Sequence, residues 1–295
     1  MTVSLKILPR SWIFLLIFAG FSLVAKGEKA RKFPQRIVSC AVVGDEILLQ
    51  ILPSPQEKKR VIAVSTLADN PLFSSVSLEA RAISQRVGAN VEQVLHLKPD
   101  LVIVASFNQP DFVAQIRNLK LNVHVLEGFQ SLADLRRHIL NLGELTGAES
   151  AAQELLARLQ ARILDLKKGM PPAQTLLVMM ADRTLVGKDT LLDDGMKELG
   201  IKNLAREMGL SGWQKISDER LLRLNPDFVL TMGEEKERDQ ILATFLQSPA
   251  LRKMAALQQG RLVLIPQALF SSFSPRFLDG MELLQKQMVS RLHKS

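Results

Sequence analysis

Asp193-Asp194 is the one conspicuous carboxylate pair in the sequence, and either acid could serve as a general base. Adjacent residues on a helix do not face each other, and helix starts attract acids, so the pair reads first as structure. Four histidines, His96, His124, His138 and His293, could ligate a metal, but their spacing suggests no cluster. Cys40 is the single cysteine and sits in an apolar run, where it reads as a small buried hydrophobe. No G-x-G-x-x-G or P-loop follows a strand-like run, and no G-x-S-x-G elbow or H-E-x-x-H occurs. What remains is the chemistry of binding. Phe73, Phe107, Trp213, Phe270 and Phe273 fall in loops between apolar runs, where a core role is less automatic. Arg183, Lys188 and Arg276 follow strand-like runs of the second half, as partners for an anionic ligand or as solvated surface charges.

The elements that must position these residues alternate, which is the pattern of an α/β fold. Ile37–Val43, Val61–Val64, Leu101–Ala105 and Val123–Leu126 read as buried strands of a first lobe. Thr175–Met180, Phe228–Met232 and Leu262–Ile265 read as strands of a second. Helical patterns at Asp45–Leu52, Val91–Leu97, Pro110–Leu119 and Ser131–Leu145 separate the first set, and Leu191–Leu199, Asp218–Leu224, Gln240–Leu246 and Pro275–Leu292 the second. Between the lobes, residues 148–168 contain neither Gly nor Pro, and Ala152, Leu156, Leu159, Ile163 and Leu166 form one apolar stripe. That helix would run about 32 Å and permit little hinge motion. The expected organisation is two Rossmann-like lobes with mostly parallel sheets, at 36–147 and 172–292, joined by one rigid helix.

A local repeat ties the halves together. Val91-Glu92-Gln93-Val94-Leu95-His96-Leu97-Lys98-Pro99-Asp100-Leu101-Val102-Ile103 recurs as Asp218-Glu219-Arg220-Leu221-Leu222-Arg223-Leu224-Asn225-Pro226-Asp227-Phe228-Val229-Leu230, at a constant offset. In each copy a short helix with Glu in its first turn ends before Pro and feeds a buried strand.

The net charge of +8 suggests nucleic acid until its distribution is examined. Residues 1–36 carry a net +6 and the rest of the chain +2, so the charge belongs to a leader and its flank. Lys6 and Arg10 precede the apolar run 12–24, which is shorter than the ~20 residues of a spanning helix. With Ala25-Lys26-Gly27 as a cleavage site, residues 1–27 read as a signal peptide, with an uncleaved anchor as the alternative. Ile37-Val38-Ser39-Cys40 superficially resembles a lipoprotein box, but it lies far past the apolar run and reads as a strand.

In order along the chain, Arg36-Ile37-Val38-Ser39 with Glu46, Val61-Ile62-Ala63-Val64-Ser65, and Glu92 with Leu97-Lys98-Pro99-Asp100 precede the Leu142-Gly143 helix and the connector. Asp193-Asp194 with Gly200 and Asn203, Glu219 with Asn225-Pro226-Asp227, and Ser274-Pro275-Arg276 complete the series. In this series the chain resembles the periplasmic substrate-binding proteins of ABC importers for iron–siderophore complexes, haem and cobalamin. The resemblance implies a non-enzymatic, monomeric periplasmic receptor with no cofactor, which delivers its ligand to an inner-membrane permease and ATPase. It implies a cleft at the carboxyl ends of the strands, with Thr66, Phe73, Phe107, Asn108, Arg183, Trp213, Phe273 and Arg276 as candidate ligand contacts. Glu92 and Glu219 match the family's permease-docking glutamates.

Cobalamin or a ferric siderophore is the expected ligand; haem ranks below them because the chain has no Tyr. Two other readings stay open from sequence. A receptor for bare Zn²⁺ or Mn²⁺ would need a convergent His/Asp/Glu set, and an α/β enzyme would use Asp193 or Asp194.

Overall fold

The computed structural model describes residues 33–74, 76–172 and 174–293. The leader reading for residues 1–27 lies outside them. Ile37–Ser39 (β1), Val61–Ser65 (β2), Gln85–Val87 (β3), Leu101–Ala105 (β4) and Val123–Leu126 (β5) form one parallel sheet, ordered β3-β2-β1-β4-β5. β1, β2 and β4 are almost wholly buried, as strands covered on both faces must be.

Thr175–Val178 (β6), Thr184–Val186 (β7), Lys202–Asn203 (β8), Trp213–Lys215 (β9), Phe228–Met232 (β10) and Leu262–Ile265 (β11) follow the connector. β11-β10-β6-β8 is a parallel sheet, and β7 pairs antiparallel with β9. The expected α/β architecture, two parallel sheets with one long helix between them in sequence, is the one observed.

The apolar run after Ile37 does not stay extended to Val43 as its composition suggests. The strand stops at Ser39, and a helix starts at Val42, with Ala41 as an extended cap residue. The register explains this: β1 is the central strand, and its carboxyl end passes directly into the helix that covers the sheet. Cys40 is buried in that turn, so it is an interior residue beside the central strand.

The repeated Pro-Asp has a definite task. The Asp100 carboxylate accepts from the backbone N–H of Gln35 and Arg36, at 2.7 and 2.8 Å, at the entry to β1. The Asp227 carboxylate accepts from the Thr175 N–H and hydroxyl, at 2.7 and 2.8 Å, at the entry to β6. In both copies one aspartate satisfies the first donors of the neighbouring strand, which the ladder leaves unpaired.

The connector runs from Glu149 to Gly169 and buries Ala152, Leu155, Leu159, Ile163 and Leu166. It packs against the helices Leu132–Thr146 and Phe277–Leu292. A Cβ on Gly143 would lie 2.6 Å from the Ala152 side chain, so glycine permits the first of these approaches. Arg162 ties the connector to the last helix through Asp279 and Glu282, at 2.6 and 2.7 Å. The apolar core runs without a break from β1 and β4, through the connector, to β10 and β11. The described residues pack as one unit. No helix among the described residues is long and apolar enough to cross a membrane.

Candidate functional site

Parallel strands end together, so the loops after them gather at one edge of the sheet. There the loops after β1, β2, β3 and β4 enclose a chamber of about 220 Å³, lined by Cys40–Val43, Glu46, Ser65–Leu67, Phe73, Val87–Ala89, Phe107 and Asn108. A second chamber of about 580 Å³ lies between Ser106, Phe107, Phe129 and Gln130 of the first sheet's loops and Val186, Asp189–Leu192, Gly212, Trp213, Phe270 and Phe277 of the second half. Both chambers share Phe107, Ser271, Ser272 and Phe273. Together they form one cleft with a wall from each half.

An aromatic cluster occupies the shared boundary. Phe107 and Phe129 lie 4.8 Å apart between ring centroids, and Phe273 approaches them at 5.9 and 5.2 Å from the other half. Trp213 meets Phe270 edge-on at 6.0 Å. Phe107 is 55% exposed and Trp213 53%, a large apolar area left open to the cleft.

Polar groups hold the loops in place. Asn108 accepts from the Ala105 N–H at 2.7 Å and donates to the Cys40 carbonyl at 3.3 Å, clamping the loop after β4 to the loop after β1. Beneath the first chamber, Asp45 is fully buried and accepts from the Ser65 N–H and hydroxyl, at 3.1 and 2.6 Å. Burial pushes its carboxyl up to about 7, against the lowering pull of the Ser39 and Ser65 hydrogen bonds. Burial likewise pushes the Cys40 thiol up to about 12, so it is a neutral wall residue.

Of the candidate ligand contacts, Thr66, Phe73, Phe107, Asn108, Trp213 and Phe273 all line the cleft. Arg183 and Arg276 do not. Arg183 pairs with Asp218 and Arg276 with Asp279, so each guanidinium is held on its own side of the fold. Lys188 is exposed beside the cleft without lining it. Glu46, Phe129, Asp189, Ser271 and Ser272 line it and were not singled out as ligand contacts from sequence. Phe129 carried the same signal as Phe107, an aromatic just after a strand; Glu46 carried only its place in the ordered series, and Asp189, Ser271 and Ser272 carried none.

Asp193-Asp194 is structural. Asp193 is buried, accepts from Asn203 at 2.9 Å and pairs with Arg206 at 2.5 Å. Asp194 accepts from the Leu132 N–H at 2.9 Å, joining the two halves. The histidines are dispersed. Burial lowers the affinity of His124 and His138 for a proton, and His138 packs its ring on Phe129 at 4.8 Å. Among the described residues no group of three or more His, Cys, Asp or Glu side chains could hold a metal ion.

Glu92 and Glu219 occupy the first turns of the helices Val91–His96 and Asp218–Leu221. Both are exposed, and neither lines the cleft. The caps of these helices are made by Asn90, which accepts from the Gln93 N–H, and Ser217, which accepts from the Arg220 N–H.

The chain is similar over most of its length to proteins of one kind. The uncharacterized ABC transporter substrate-binding lipoprotein YvrC of Bacillus subtilis is 24% identical over 269 residues, covering 88% of this chain and 81% of the relative. A cobalamin-binding protein of Halobacterium salinarum is 24% identical over 199 residues, 65% of this chain and 54% of that protein. Among solved structures, a possible iron-binding, periplasmic solute-binding protein of Staphylococcus epidermidis superposes with a TM-score of 0.73 at 21% identity, over 87% of this chain and 99% of that one. The periplasmic vitamin B12 binding protein of Vibrio cholerae superposes at 0.67 with 20% identity, over 88% and 98%. The periplasmic haem-binding protein of the same organism superposes at 0.71 with 23% identity, over 85% and 98%. The model of the periplasmic binding protein family matches residues 37–269, and the chain belongs to that family of substrate-binding transport proteins.

Proposed function

We propose that the chain is the periplasmic receptor of an ABC importer, and that it captures cobalamin or a ferric siderophore between its lobes. The observation that carries this reading is the two-chambered cleft, whose aromatic wall draws Phe107 and Phe129 from one half and Phe273 from the other. A rounded metal chelate offers a large apolar face to such a wall, and each aromatic stack contributes about 0.5–1.5 kcal/mol beyond its area. The cobalamin-binding relative and the vitamin B12 binding neighbour support the corrinoid choice. Haem-binding neighbours support haem as a third member of the class. It ranks below the others because the chain has no Tyr, a residue that can ligate haem iron. A bare Zn²⁺ or Mn²⁺ ion would leave the aromatic wall without a partner.

In this reading residues 1–27 direct export, and the segments 36–147 and 172–292 are the lobes on either side of the helix 148–168. Thr66, Phe73, Phe107, Asn108, Trp213 and Phe273 meet the ligand. Glu92 and Glu219 meet cations of the inner-membrane permease, and an ATPase drives release. The receptor acts as a monomer.

Titration of Trp213 fluorescence tests the ligand class. With the leader removed at Gly27, Trp213 is the only tryptophan. Corrins, porphyrins and ferric chelates absorb where indole emits, so a ligand seated against Trp213 quenches it. One class among cobalamin, ferric siderophores and haem should quench saturably, with free tryptophan correcting for inner-filter absorption. Trp213→Ala should then weaken that ligand by roughly three- to ten-fold, the equivalent of one stack. No saturable binding of any of the three at micromolar concentration defeats the proposal.

A further inference from the structure

The chain carries 38 Lys and Arg residues, yet among the described residues none lines either chamber of the cleft. No histidine lines it either. The charged side chains that do are both acidic: Glu46, only 2% exposed, in the first chamber, and Asp189 in the second. Three arginines of the second half are committed to acids outside the lining, Arg183 to Asp218, Arg206 to Asp193 and Arg276 to Asp279. Lys188 stays exposed next to Asp189, outside the lining. The remaining polar lining of the first chamber is hydroxyl and amide, from Ser65, Thr66, Asn108, Ser271 and Ser272, and Ser106, Gln130 and Thr190 add the same groups in the second.

An anionic ligand in this cleft would leave water without gaining a cation and would lie beside Glu46, which is screened from solvent. Both terms oppose binding. A ligand whose rim carries N–H donors meets the opposite situation, because a carboxylate acceptor is the stronger partner for such a donor. We propose that the cleft selects by charge: it takes a neutral or cationic chelate whose rim bears carboxamides or amines, and rejects chelates bearing carboxylates or phenolates. Glu46 and Asp189 are the specificity-determining residues. The inference rests on the receptor reading and narrows its ligand class.

Matched pairs separate the two. Calorimetric titration compares cobinamide, with peripheral carboxamides, against cobyrinic acid, the same macrocycle with carboxylates. It also compares a neutral ferric trihydroxamate with an anionic ferric triscatecholate. In whichever pair binds, the neutral or cationic member should bind more tightly by about ten-fold or more. Glu46→Gln should narrow that ratio, chiefly by strengthening the anionic member. Asp189→Asn, which suits the left-handed backbone there and keeps an oxygen to accept from the Ser211 hydroxyl, should act in the same direction. Equal or tighter binding of the anionic member overturns charge selection and leaves the receptor reading standing. A ratio unmoved by both variants overturns the assignment to these acids. Binding of no member in either pair, nor of haem, overturns both readings.

Discussion

At Asp45 burial and hydrogen bonding pull in opposite directions, and burial wins. The carboxyl rises from 3.8 to about 7 because burial disfavours its charge more than the Ser39 and Ser65 hydrogen bonds favour it. The native state therefore holds a proton that the unfolded chain has already lost between those two values. In that window the native state binds more protons, so stability falls as pH rises from 3.8 through 7 and levels off above. Asp45→Asn cannot ionise and lacks this loss. Its advantage over the parent should grow with pH across the window, by at most about 1.4 kcal/mol per pH unit. Urea melts of both proteins at a series of pH values measure it; an advantage that stays flat or shrinks toward neutrality would refute the burial account. Asp45 also illustrates what single residues conceal. Its type and place in an apolar helix were plain in the sequence, but its complete burial was not, because that depends on which strands flank β1. The places of Glu46 and Asp189 in the cleft were hidden in the same way.

Among the elements, β4, β10 and β11 were legible with their boundaries, because a strand buried on both faces must be a continuous apolar run; β5, only half-buried, was legible from its β-branched residues. β3, β7, β8 and β9 were not. Trp213-Gln214-Lys215 is exposed along its whole length, and Lys202-Asn203 is too short to form a pattern. The repeat was legible as sequence, and the structure gives both copies one burial pattern. Val94 and Leu221 point inward, while Glu92 with Leu95 and Glu219 with Leu222 point outward. Leu95 is 42% and Leu222 52% exposed, each three residues after its glutamate and so on the same helix face. Asn90 and Ser217 already cap these helices, so neither glutamate is needed as a cap, which supports the proposed docking role. Glu219 pairs with the exposed Arg223, a contact worth little. Glu92→Ala with Glu219→Ala should therefore leave ligand titrations unchanged and stop uptake by the reconstituted importer. Leu95→Ser with Leu222→Ser should weaken uptake in the same assay. Normal transport by the glutamate pair would sink the docking assignment, and a pair variant that fails to fold would make the acids structural.

For the whole molecule, the sequence suggested two lobes and a stiff bridge; what it could not suggest is how completely the bridge merges them. Leu155, Leu159, Ile163 and Leu166 of the connector belong to one apolar core that reaches β1 and β4 on one side and β10 and β11 on the other. The Leu132–Asp194 hydrogen bond, the Arg162 pairs and the contacts of Phe273 with Phe107 and Phe129 cross between the halves as well. Loosely joined domains unfold independently, because few contacts are lost when one of them opens. Here opening either half would strip the connector of half its partners and expose the shared core, so neither half is stable without the other. The protein should unfold in one transition. Trp213 fluorescence, which reports the second half, and far-UV circular dichroism, which reports both, should give coincident denaturant midpoints in the leaderless protein. Leu159→Ala with Ile163→Ala removes packing at the middle of the bridge, at a cost of about 2–5 kcal/mol for each large-to-small change. That double variant should lower both midpoints, and pull them apart if the bridge is what couples the halves. Two resolved transitions in the parent protein would show that the halves fold separately, and that the connector is a spacer between them.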